Sequence, residues 1–118
     1  MKEFALIFRV SENMTAPPTP AQMQERMTKW MDWMGGIAAR DKLVNGGNRL
    51  GVKGAGWVGP DGVNTDGPYT EIKEFINGYT LIRADSLEDA LGIAKDCPLI
   101  AGGGKVEVRP LVAPDCNE

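Results

Sequence analysis

The chain has 118 residues, 42% hydrophobic and 25% charged, with a formal net charge of −3. That length supports one hydrophobic core, so residues 1–118 are read as one domain. No apolar run approaches the roughly 18 residues that span a bilayer, and 13 basic against 16 acidic residues without a basic cluster argue against nucleic acid as a partner.

There is no histidine. Its absence removes Ser-His-Asp and Cys-His nucleophile activation and every histidine-containing metal site. Two cysteines, Cys97 and Cys116, are too few for the disulfide framework of a small secreted domain. Free thiols in a reducing cytoplasm are the reading, with a single bridge between them as the alternative.

In chain order, Phe4, Leu6, Phe8 and Val10 alternate with Ala5, Ile7 and Arg9, which predicts a first strand. Glu3 and Arg9 interrupt the apolar run too early for a signal peptide. Thr19-Pro20-Ala21-Gln22 offers an N-cap, a proline at the first helical position and a capping-box glutamine. A long helix over residues 20–43 should follow, with Met23, Met27, Trp30, Met31, Met34, Ile37 and Ala38 as its core stripe and Trp33 at the stripe's edge, facing a partner or pocket rim. Gly35-Gly36 inside it would cost about 1 kcal/mol each relative to alanine, so either the helix weakens there or, the favoured reading, a neighbour packs close to the bare backbone.

Residues 49–58 read as a glycine-rich second strand that Pro60-Asp61-Gly62 reverses into a hairpin. The extended pattern of residues 70–84 breaks at Asn77-Gly78, where a bulge fits. Ser86 and Asp89 form a second capping box before a short helix over residues 87–96, which Pro98 stops. Residues 105–112 alternate as a final strand. The β-α-β-β-α-β order, with right-handed crossovers, predicts an α+β ferredoxin-like sandwich with both helices on one sheet face. Its other face needs a cover, and a second copy supplies it, so a homodimer is expected.

Candidate chemistry is sparse. Gly54-Ala55-Gly56-Trp57-Val58-Gly59 matches G-x-G-x-x-G, but no helix follows to hold a pyrophosphate, so no nucleotide cofactor is assigned. Gly102-Gly103-Gly104 leads into a strand and is a loop. Cys97, near a helix C-terminus, is poorly placed to ionise. Asp61, Asp66, Glu71 and Glu74 lack calcium-loop spacing, and no metal is expected.

The most informative stretch is Thr65-Asp66-Gly67-Pro68-Tyr69-Thr70-Glu71-Ile72-Lys73-Glu74, a turn-rich loop with an aromatic residue and alternating charges. By itself it is satisfied by turn chemistry: Asp66 caps the turn, Gly67 takes positive φ and Pro68 sets the exit. Together with Gly78-Tyr79-Thr80-Leu81-Ile82 and Val106-Glu107-Val108-Arg109-Pro110, however, it resembles the YCII-related, DGPF-type family. Ser86-Leu87-Glu88-Asp89-Ala90-Leu91 and Cys97-Pro98 occupy the family's intervening helix, so the resemblance is strong over residues 62–112 and loose over 1–60.

The resemblance implies a dimeric α/β barrel of ferredoxin-like subunits. It implies less about activity: some relatives look like lyases or dehydrochlorinases using a histidine-aspartate pair, which this chain cannot supply, and others resemble transcription initiation factors or occur beside sigma factors. The family loop suggests a pocket lined by Asp66 as base or hydrogen-bond acceptor, Tyr69 as an aromatic wall, and Lys73 or Arg109 as an anion partner. The resulting reading is a small-molecule-binding or lyase-like enzyme lacking the family histidine. The alternative is a non-catalytic regulatory module that presents an exposed apolar patch including Trp33 or Trp57.

Overall fold

The computed structural model describes residues 1–11, 18–65, 67 and 74–114. Four strands form one antiparallel sheet: β1 (Lys2–Ser11), β2 (Leu43–Asn45), β5 (Glu74–Ala84) and β6 (Lys105–Pro110), in the order β2-β5-β1-β6. Between β2 and β5 a separate hairpin is inserted, β3 (Trp57–Gly59) and β4 (Gly62–Asn64). Three helices, α1 (Pro20–Ala39), α2 (Leu87–Lys95) and α3 (Pro98–Ala101), complete the chain. This is the ferredoxin-like arrangement, α1 and α2 packing on the same sheet face.

The alternation in β1 does what its spacing predicts. Phe4, Leu6, Phe8 and Val10 are buried, and Ile82 and Ala84 of β5 join them from the neighbouring strand. On α1, Trp33 and Ile37 are the buried residues. Phe8, Trp30 and Trp33 meet edge-to-face with ring centroids 5.0–6.1 Å apart, and so clamp α1 to the middle of β1.

Several expectations for α1 are corrected. The helix ends at Ala39 rather than near residue 43, because Leu43 is taken into β2 beside Ile82. Of the expected stripe, Ile37 is buried and Trp30 and Met34 pack against the core, but Met23, Met27 and Met31 are more than half exposed and lie outside it. Trp33, expected at the edge, is central and 8% exposed. The apolar arc of this helix covers nearly half its circumference at 100° per residue, and docking selects the side centred on Trp33 and Ile37. A Cβ on Gly35 or Gly36 would meet nothing within 4 Å, so close packing there is also overturned.

The second strand lies elsewhere than in residues 49–58. The edge of the sheet is β2, bulged between Leu43 and Asn45, and continues only as an isolated bridge from Arg49 to Gly78. Gly47 permits the intervening turn: its φ is +71°, and a Cβ there would run into the Tyr79 carbonyl. The Pro60-Asp61 hairpin forms as expected, with Val58 opposite Val63.

Local signals elsewhere hold. Thr19 caps α1, accepting from the Gln22 N–H at 3.1 Å, while the Gln22 side chain accepts from the Thr19 N–H at 3.0 Å. The predicted bulge is Asn77: Phe8 pairs with Gly78 and Arg9 with Ile76, leaving Asn77 over. Ser86 caps α2, but the box does not close. The Asp89 carboxylate accepts instead from the Asp85 N–H at 3.1 Å and from Lys42 Nζ at 2.8 Å. Pro98 ends α2 and then begins α3, which the sequence reading missed.

Candidate functional site

Side-chain alternation divides the sheet into a helix face and an open face. Cross-strand register puts Ala5, Ile7 and Arg9 of β1 on the open face, with Leu81, Tyr79 and Ile76 of β5 beside them. On the other side of β1 lie Arg109, Glu107 and Lys105 of β6. Val106 and Val108 point the other way and pack against the core, so Arg109 is on the face opposite the two valines, as period two requires.

The open face is polar at one end and apolar in the middle. Arg9 Nε donates to Glu107 Oε1 at 2.8 Å, and Lys105 Nζ to Glu74 Oε1 at 2.8 Å. Toward the far end stand Arg83, opposite Glu3, and Arg109, opposite Ala5. Neither arginine forms an ion pair with a described residue. Arg83 Nε is buried without a hydrogen-bond partner, a condition that normally costs free energy unless a ligand or partner answers it.

Of the four residues singled out from sequence, Asp66, Tyr69 and Lys73 lie outside the described residues, as does Cys116. Gly67 is described and has φ +127°, the positive value anticipated for this turn. The segment ends at Glu74, which pairs with Ser11, whereas Arg109 pairs with Ala5. Six residue steps along β1 separate those rows, roughly 20 Å at strand rise. Arg83 was missed by sequence reasoning. Its signal was a charged residue between the inward-facing Ile82 and Ala84, which places it on the open face.

Among the described residues, two titrating groups are clearly perturbed. Asp89 is held below the usual carboxylate value, chiefly by the hydrogen bond from Lys42 and then by the Asp85 N–H. Burial pushes the Cys97 thiol up to about 11, against a weaker opposing effect from the Leu99 backbone. Cys97 is therefore a packing residue rather than a nucleophile, in line with the sequence reading. Among the described residues, no group of three or more cysteine or carboxylate side chains is arranged to hold a metal ion, and no helix is long and apolar enough to cross a membrane.

A family model, the YCII-related domain, matches residues 4–113. The chain belongs to the YCII-related domain family. No curated protein matches it significantly. The match takes in every strand and helix described above except Lys2 and Glu3 at the start of β1, so the ferredoxin-like sheet and its inserted hairpin are features of this YCII-related domain. Without a histidine, proton transfer by this domain would fall to carboxylate, amine or phenol groups.

Proposed function

We propose that this YCII-related domain is a homodimer that binds a small molecule between the open sheet faces of its two subunits, with Asp66 and Tyr69 of the loop before β5 contributing to the site. The observation that carries this reading is the state of the open face. Ala5, Ile7, Tyr79 and Leu81 are half-buried, and Ile76 is 40% exposed, while the same strands bury their helix-facing residues almost completely. A face so apolar gains by meeting its own copy, and a cavity between two such faces is an apolar pocket with a few polar groups. Any lyase-like chemistry would use Asp66 as the base, with Lys73 or Arg109 holding an anionic substrate, in a cytoplasmic protein whose Cys97 stays reduced.

Sedimentation velocity tests the assembly: a species of twice 12.8 kDa is expected, and Ile7→Glu should return it to the monomer. A thermal-shift screen of small acids and aromatic compounds tests the binding. A hit abolished by Asp66→Ala supports the site; a hit unchanged by it refutes the loop's role.

Met23, Met27 and Met31, exposed along one side of α1, favour a second reading: a regulatory module that docks a partner protein, as relatives found beside sigma factors would suggest. Trp33 takes no part in that surface, being buried, whereas Trp57 is 37% exposed. A defined partner that co-purifies with the native chain and is lost from Met27→Glu would favour this module.

A further inference from the structure

We infer that Arg83 and Arg109 together cradle the carboxylate of a small organic acid on the open sheet face. The inference rests on the small-molecule reading above and narrows the ligand to an anion.

The two arginines occupy the strands on either side of β1, two residues apart in register, with Ala5 between them in Arg109's row. Strand spacing and rise put their Cα atoms roughly 12 Å apart, a gap that two long side chains can close over the small Ala5. Arg83 has a buried Nε with no partner, so one of its donors is already withdrawn from water and unanswered. A carboxylate offers two oxygens to such a fork and makes short, charge-assisted hydrogen bonds.

Charge on this face points to an external anion rather than to the second copy. Arg9 and Lys105 are neutralised by Glu107 and Glu74, each at 2.8 Å. Among the described residues of β1, β5 and β6, Glu3 is the remaining carboxylate on the open face, set against two arginines. A symmetric partner presents the same surface, so dimerisation doubles the cationic excess instead of cancelling it. The protein as a whole is at −3, which makes a cationic spot on this face distinctive. Leu81 and Ile7, half-buried next to Ala5, provide an apolar floor for the body of an organic acid.

Benzoate and its neutral counterpart benzyl alcohol, titrated into the full-length protein at low salt, separate charge recognition from apolar contact. Benzoate should bind and shift the backbone amide resonances of Ala5, Leu81 and Arg83; benzyl alcohol should not. Arg83→Gln and Arg109→Gln should each weaken benzoate at least tenfold, with Arg83→Lys retaining part of the affinity, and circular dichroism checks that each variant is folded. The proposal is overturned if benzoate leaves those amides unmoved, if benzyl alcohol binds as well, or if affinity survives both glutamine replacements. A different hit lost in Asp66→Ala but kept in both arginine variants, with benzoate inert, would preserve the binder reading and sink the cradle. Benzoate binding that needs the arginines but not Asp66 would uphold the cradle without the loop.

Discussion

The indole N–H of Trp33 donates to the Ile93 carbonyl at 3.0 Å, a buried hydrogen bond between residues 60 apart in the chain. It ties α1 to α2 over the sheet, at a helical carbonyl inside the core cluster. Trp33→Phe keeps most of the apolar volume but leaves that carbonyl with the Asp96 N–H as its remaining donor, at 3.3 Å, and should cost about 0.5–1.5 kcal/mol for the lost bond. Urea denaturation measures this as a lower midpoint at unchanged slope. A variant as stable as the native protein would show that the bond contributes nothing.

Glycine substitutions should act in opposite directions. Gly35 lies in the interior of α1 with open space around it, so Gly35→Ala should stabilise by about 0.5–1 kcal/mol. Gly47 combines positive φ with the adjacent Tyr79 carbonyl, so Gly47→Ala should destabilise by about 2 kcal/mol or more. Melting temperatures of the two variants should lie on either side of the native value.

Lys42, in the link between α1 and β2, meets Asp89 of α2 at 2.8 Å. Because the folded Asp89 carboxyl titrates below its ordinary 3.8, its contribution is full above that value and is lost as pH falls through the lowered one. Asp89→Asn should therefore melt lower than the native protein at about pH 6, and the difference should shrink as the pH is taken below 3.8. A gap that persists undiminished in acid would assign the effect to something other than ionisation.

Cys97 works in the alkaline direction. Its thiol is raised from 9.0 to about 11, so the unfolded chain releases this proton first and stability should fall between those values, then level off. Relative to Cys97→Ala, the loss should be on the order of 2–3 kcal/mol. At pH 8 a thiol reagent should modify Cys97 in the native protein far more slowly than in the unfolded chain. Equal rates would place the thiol in solvent.

Features written over short stretches were legible without the structure. Thr19 and Gln22 announced their cap, Asn77 its bulge, and the alternation of β1 its buried side, because each depends on neighbours within a few residues. The missing histidine likewise set limits on the chemistry. Tertiary packing decided the rest. The apolar arc of α1 offers both Trp33 and Met23, Met27 and Met31, and only contact with Phe8 and with α2 selects the tryptophan's side. β2 is a three-residue edge strand, defined by pairing with β5 and carrying little pattern of its own. Arg83 and Arg109 lie 26 positions apart in sequence. They flank Ala5 only because β5 and β6 both pair with β1, a neighbourhood created by long-range register that no local pattern encodes.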